Sequence, residues 1–243
     1  EIFQAFTTTY EDSSVRNHEA APLKGDVRPL SDRRLWKTAL QVIASIMMQG
    51  ETPVDFRVAI HRNEIERELS RIFPDEKFPV RDILDDLLKY HLLQNRSAAQ
   101  VEFRHQLIQE YYVAEHLLRL LPDLNDEQLK QDYLNFLKWT EPIALMLALV
   151  NEEAQALQVV NLALDVDLKL GARLAGEVAF AFQEATVGEV IALSVADWLK
   201  VELLGQTRSE VAVPELLSFL THSDINIAKV SASYIGETHN QLA

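Results

Sequence analysis

Cysteine is missing altogether from the 243 residues. That removes every disulfide and every thiolate-held metal, and it fits a reducing, cytoplasmic compartment. Glycine and proline are scarce, at seven and eight, which favours helix and argues against a loop-rich β protein. Long hydrophobic runs are also lacking. The longest spans eight residues, 143–150, less than half of a membrane-crossing helix, and it reads as a buried helix. No secretory signal pattern opens the chain. Positive charge is in deficit: 23 Lys and Arg face 37 Asp and Glu, for a net charge of −14. A chain so acidic is a poor general binder of DNA or of an anionic membrane. The remaining composition, 48% hydrophobic and 25% charged, belongs to a folded protein of one large domain or two to three small ones. The first residue is Glu1 rather than Met, so the chain is expected to be a piece of a longer polypeptide, with the natural start upstream.

Periodicity divides the chain. Residues 1–30 read as the end of a helix (Ile2, Phe3, Phe6 and Tyr10 at helical spacing) followed by a polar linker. Residues 31–49 form an amphipathic helix, capped by Ser31 or Asp32 and ended by Gly50, with Leu35, Trp36, Ala39, Leu40, Ile43, Ile46 and Met47 inward. A connector with a short strand over 54–58 leads to a second helix, 62–72, burying Ile65, Leu69 and Ile72. A third helix, 79–90, has Pro79 in its first turn and buries Ile83, Leu84, Leu87 and Leu88. The apolar pieces 92–94 and 101–103, joined by a polar stretch, read as a β-hairpin. Helices then follow over 129–139 and 142–150, with one or two more over 154–170.

The stretch from Phe103 to Leu121 is the most informative. Leu107, Tyr111, Ala114 and Leu118, with Ile108, Tyr112 and Leu117, recur at helical spacing, so one broad face is expected to be buried. His105 and Gln109 are expected on a polar edge at the helix start, where free N–H groups and the dipole suit an anion. Its seven-position pattern, Phe103, His105, Gln109, Glu110, Tyr111, Tyr112 and Ala114, resembles a signature of the NACHT family of signal-transduction NTPases. In that family the segment closes a winged-helix domain downstream of the nucleotide-binding core, and three helices followed by a hairpin is the order of a winged helix. The resemblance implies that His105 contacts the phosphate of ADP bound by the upstream core. Residues 139–142 are similar to a turn in the region that follows.

The end of the chain repeats itself. Residues 195–209 align with 226–240 at an offset of 31, so that Leu204-Gly205 falls on Ile235-Gly236 and Thr207 on Thr238. Between them lies a helix with Pro214 in its first turn and Leu217 in its apolar run. The unit resembles short HEAT repeats, and residues 172–182 are a candidate earlier unit. Such units stack on neighbours, because none buries its apolar face alone.

Other chemistry is weaker. Gly171 and Gly176 have P-loop spacing, but Glu177 and Val178 stand where Lys and Ser or Thr are needed. The third helix carries Arg81 and Lys89 against Asp82, Asp85 and Asp86, an unfavourable face for DNA. The cluster Arg28, Arg33, Arg34 and Lys37 reads as a solvated or interdomain surface. The pair Asp165 and Asp167 lacks the glycine and the closing Glu of a calcium loop. No His pair at i, i+4 and no Ser-His-Asp arrangement appears, so no metal or catalytic residue is expected.

The expected architecture is therefore mainly α: a helix remnant and linker (1–30), a winged helix with one small β-hairpin (31–121), a helical connector (122–170) and HEAT-like repeats forming an α-α superhelix (171–243). By the resemblance, this is the regulatory and sensing half of a NACHT NTPase active in signalling, bacterial defence included. It would have no cofactor of its own, while the parent protein binds ADP or ATP with Mg. Its partners would be the upstream nucleotide-binding domain and a protein ligand on the repeats, and the activated parent would oligomerise. DNA and membrane are not expected. The competing expectation is a freestanding HEAT scaffold without nucleotide dependence.

Overall fold

The computed structural model describes residues 33–74, 79–89 and 92–240. The helix remnant and linker expected over 1–30, and the cap expected at Ser31 or Asp32, lie outside them. The chain is mainly helical with one small antiparallel sheet, and it divides into two compact units, Glu1–His116 and Leu117–Ala243.

The first unit contains α1 (Arg33–Met47), β1 (Ile60–His61), α2 (Arg62–Ile72), α3 (Val80–Lys89), β2 (Leu93–Asn95), β3 (Gln100–Phe103) and the start of α4 (Gln106–Leu120). The sheet order is β1-β3-β2, with Ile60 opposite Val101 and Leu93 opposite Phe103. The expected hairpin is thus the larger part of a three-stranded sheet. The core is built from one face of each helix and the inward residues of each strand. Trp36, Leu40, Ile43 and Met47 of α1 meet the same interior as Ile65, Leu69, Ile83, Leu84, Leu87 and Leu93, all essentially without solvent contact.

Three expectations are corrected here. The strand expected over 54–58 does not form; the strand is β1, two residues later. Val54 and Val58 are exposed, at 65% and 56%. Arg57 explains the difference. Its N–H donates to the carbonyl of Met47 (2.6 Å), and its guanidinium donates to the carbonyl of Ile46 (2.9 Å). A helix leaves its last carbonyls without intrahelical partners, so the connector is spent on capping α1 rather than on a sheet. Arg57 also meets both oxygens of Glu64 at 2.9 Å, which ties the connector to α2. Second, Ile72 is 46% exposed rather than inward, because it lies in the last turn of α2. Third, Leu107 is 54% exposed: it sits in the first turn of α4, beyond the reach of the core that covers Ile108 and Tyr111.

The second unit begins with the end of α4, followed by a 3-10 turn (Leu121–Asp123). The short α5 (Asp126–Gln128) follows, with a reciprocal Asn125–Gln128 capping box. It continues as a π-helical stretch (Leu129–Leu134). This corrects the helix expected over 129–139. The π stretch ends where Asn135 N–H reaches back five residues to Lys130, and Phe136 is extended before a 3-10 turn, Leu137–Trp139. Trp139 stacks edge-on with Tyr133 at 4.8 Å. The helices α6 (Thr140–Leu149), α7 (Glu153–Val166), α8 (Leu168–Glu177), α9 (Gln183–Ala192), α10 (Asp197–Thr207), α11 (Val213–Ser218) and α12 (Ile225–Asn240) complete the unit. Asp167, considered above as part of a calcium loop, caps α8 by accepting from Leu170 N–H at 2.8 Å.

Packing in this unit is serial. Helix α8 lies against α6, α7, α9 and α10, while α10 lies against α12 and α11 against α12. Three glycines of the stack leave no room for a Cβ: Gly171, where it would stand 2.6 Å from Leu164 of α7, and the two that set the spacing of α8, α10 and α12. A Cβ on Gly176 would stand 1.7 Å from the carbonyl oxygen of Thr207, and one on Gly205 would stand 2.3 Å from the ring of Tyr234. Backbone of α8 therefore touches backbone of α10, and backbone of α10 touches a ring of α12. Only glycine permits so close an approach. Gly176 sits in the last turn of α8 as Gly205 does in that of α10. Side chains pin the layers as well. Thr186, fully buried, donates to the carbonyl of Ala175 (2.7 Å), and Gln183 donates to that of Gly176 (2.8 Å). Arg208 closes α10 in a left-handed conformation, φ 50°.

Candidate functional site

The segment singled out by its motif is built where β3 hands over to α4. Phe103 ends β3 opposite Leu93, and Arg104 N–H extends the pairing by donating to the carbonyl of Leu92 (3.2 Å). The chain then leaves the sheet. The His105 carbonyl accepts from Ile108 N–H (3.0 Å) and Gln109 N–H (3.4 Å), so its backbone starts the helix. Its imidazole is exposed and makes no hydrogen bond, ion pair or ring contact among the described residues.

The other six motif residues are buried: Phe103, Gln109, Glu110, Tyr111, Tyr112 and Ala114. This corrects the expectation of one polar edge shared by His105 and Gln109. His105 precedes the helix and faces water, whereas Gln109 is 5% exposed. Tyr111 and Tyr112 meet edge-to-face at 5.5 Å, and Phe103 lies 6.3 Å from Tyr112. The aromatics thus form the joint between β3 and α4. Glu110 accepts from Gln106 one turn earlier, at 2.8 Å.

A residue the motif does not contain holds the joint to α1. Glu115 accepts from Lys37 Nζ (2.5 Å), from Gln41 Nε2 (3.1 Å) and from the Tyr111 hydroxyl (2.8 Å). Three donors on a carboxylate that is 11% exposed make a charge-assisted knot. Its signal was in the sequence: Lys37 and Gln41 are spaced i, i+4 on α1, as are Tyr111 and Glu115 on α4. Nothing in either helix alone says that the two pairs meet. Arg104 is the other residue missed. It is exposed beside His105 and has no side-chain partner among the described residues.

The repeat residues are divided by the structure. Leu204 and Gly205 are buried, Ile235 is half-buried, and Pro214, Leu217 and Gly236 are exposed. Leu216, rather than Leu217, carries the buried position of α11, at 1% exposure. A cavity of about 480 Å³ lies in the second unit beside α8, lined in part by Asp167, Lys169, Arg173 and Leu137. Lys169 and Arg173 are neutralised there by Glu202 (2.6 Å) and Glu141 (2.8 Å). Gly171 and Gly176 lie within α8 instead of in a phosphate-cradling loop. Among the described residues, no group of three or more His, Asp or Glu could hold a metal, and no helix is long and apolar enough to cross a membrane. On α3, Asp82 and Asp85 face solvent, and Asp85 accepts from Arg62.

The fold and this site define a class: a mainly helical chain with a small antiparallel sheet whose central strand feeds a buried aromatic joint topped by an exposed histidine. Comparison with protein-family models, with curated proteins and with solved structures yields no match.

Proposed function

We propose that the chain is the regulatory and sensing part of a nucleotide-switched NTPase of the NACHT kind. In this reading the first unit is a winged helix that latches the ADP-bound, closed state. The serial helices of the second unit are HEAT-like repeats that receive a protein ligand. His105 would donate a hydrogen bond to a phosphate oxygen of ADP held by a nucleotide-binding domain upstream in the parent protein, which would also bind ATP with Mg. Release of the latch would open the parent and expose a surface for oligomerisation. Such a switch requires only that ADP favour one of two states through a contact that the other state lacks.

The observation that carries this reading is the contrast within one motif. Six of its seven residues are buried in the joint, and the seventh, His105, stands outside with an unengaged imidazole at a helix start. Packing explains why the six are needed. It gives no reason for a histidine at 105, which a ligand contact would. The described residues form no phosphate cradle, Gly171 and Gly176 lying within α8, so no ATP turnover is expected from this chain.

The test is the dissociation rate of a fluorescent ADP analogue from the complete parent protein with and without His105→Ala. A hydrogen bond to a charged group contributes about 1.5–3 kcal/mol, so the variant should release ADP roughly 10- to 150-fold faster. An unchanged rate would remove the latch, and the helical stack would then be read as an interaction scaffold without nucleotide dependence.

A further inference from the structure

A groove in the second unit combines an exposed indole, an apolar floor and two carboxylates that each keep one oxygen without a partner among the described residues. It lies between α10 and α12 and has a volume of about 330 Å³. Its floor is apolar, with Val201 buried and Val230 44% exposed. On its rim stands Trp198, 60% exposed, the one tryptophan of the three that is mainly in water. Its other lining residues include Glu202 and Asp224. Glu202 gives one carboxylate oxygen to Lys169, and Asp224 gives one to the N–H of Asn226. The second oxygen of each takes no partner among the described residues.

The charged side chains lining the groove are the carboxylates of Glu202 and Asp224, the former paired with Lys169. Burial pushes the Tyr234 phenol up, and the carboxylates of Glu202 and Glu237 push it further, with Lys169 opposing. An anionic partner such as a phosphodiester or an acidic lipid surface is disfavoured on these grounds. An arginine fits each feature. Its planar guanidinium stacks on an indole, its fork bonds carboxylate oxygens, and its aliphatic stem covers apolar surface. A volume near the lower limit of ligand pockets suits one or two side chains rather than a large cofactor.

We propose that this groove docks an arginine-bearing segment of a partner protein, with the guanidinium held between Trp198 and the carboxylates of Glu202 and Asp224 and its apolar neighbours on Val201 and Val230. The proposal rests on the reading of the helical stack as the receiver of a protein ligand. It is independent of nucleotide, so failure of the His105 latch leaves it standing.

The experiment uses the whole 243-residue chain without nucleotide. Calorimetric titration compares the peptide acetyl-Leu-Leu-Arg-Leu-Leu-amide with the same peptide carrying citrulline, which keeps the shape and removes the charge. The arginine peptide is expected to saturate below roughly 1 mM, and the citrulline peptide to bind about tenfold more weakly or worse. Trp198→Ala and Glu202→Gln should each weaken the arginine peptide about tenfold. Asp224→Asn, which keeps the cap to Asn226, should do the same. Trp198 and Asp224 are exposed and Glu202 is half-buried, and unchanged thermal unfolding of the variants shows that the groove is intact. Equal binding of the two peptides would reduce the groove to a nonspecific apolar patch. Binding that survives all three substitutions would put the contact elsewhere. No saturable binding up to about 1 mM would remove the proposal.

Discussion

Replacing each of three glycines by alanine reads the stacking of the second unit directly. Alanine in a helix is worth about 0.5–1 kcal/mol over glycine when the methyl has room. At Gly236 nothing lies within 4 Å of the added Cβ, so Gly236→Ala should stabilise by about that amount. At Gly176 the methyl would lie 1.7 Å from the Thr207 carbonyl oxygen. Backbone cannot swing aside like a side chain, so α8 and α10 must separate. Overpacking costs about 1–3 kcal/mol. With the propensity gain subtracted and the clash near the upper end, Gly176→Ala should cost about 2 kcal/mol. Gly205→Ala falls between, because the obstacle is the half-buried ring of Tyr234, which has some freedom to turn.

The outer pair of variants should therefore differ by about 3 kcal/mol. At about 2–4 °C per kcal/mol for a chain of this size, their melting temperatures should lie about 6–12 °C apart. Scanning calorimetry on the purified chain measures this, and a guanidinium titration checks it at constant temperature. Gly176→Ala that melts with the parent chain would refute the close approach of α8 and α10. Gly236→Ala as damaging as Gly176→Ala would mean that the face beside Gly236 is covered in solution.

Two further substitutions test the polar supports. Lys200 is 9% exposed, and its ammonium donates to the carbonyls of Ile191 (2.6 Å) and Leu193, closing the C-terminal end of α9. Lys200→Met should cost about 2 kcal/mol in a urea titration, since it orphans those carbonyls; a loss under about 0.5 kcal/mol would show that water replaces the cap. Burial pushes Lys200 below the ordinary lysine value of 10.5, with Glu215 opposing. The unfolded chain thus holds the extra proton between the lowered value and 10.5, so this residue's contribution makes stability rise with pH across that window. The increment should vanish in Lys200→Met, and urea midpoints of the two proteins on either side of the window measure it. In the first unit, Glu115→Ala should cost about 2 kcal/mol, because it removes the carboxylate that Tyr111, Gln41 and Lys37 share as acceptor. Lys37→Ala should cost under about 1 kcal/mol, since Lys37 is 39% exposed and water screens its share. Equal losses from the two would show that the ion pair, not the buried hydrogen bonds, holds α1 to α4.

What could be read from the sequence follows from the length of each pattern. The inward face of α1 repeats over four turns, and all seven of its expected core residues are buried. The strands around Leu93 and Phe103 carry enough alternation to be found. By contrast, β1 is two residues long and has no period, so nothing distinguishes Ile60 and His61 from the connector before them. The end residues of helices were misread for a related cause. Ile72 and Leu107 continue an apolar spacing past the point where neighbouring elements still cover it. The arginine cap on α1 and the lysine cap on α9 were hidden because they join positions far apart in the chain through a side chain and a carbonyl, which periodicity does not register.

The same limit decides how the motif at Phe103–Ala114 should be understood. Read along the chain, its seven residues form one pattern and invite one role. In space they separate by burial, and a buried aromatic and an exposed imidazole answer to different constraints. Phe103, Tyr111 and Tyr112 keep β3 and α4 at a fixed angle through ring contacts, and Glu115 locks that joint to α1. Holding the joint rigid determines where the residue at its outer corner stands. The central strand β3, the aromatic joint and the carboxylate knot together act as a mount for His105, whose side chain adds nothing to the packing that positions it. If His105 latches ADP as proposed, substitutions in the mount should lower stability and ADP retention together, whereas His105→Ala should change retention alone. Calorimetry beside the dissociation rate separates the two.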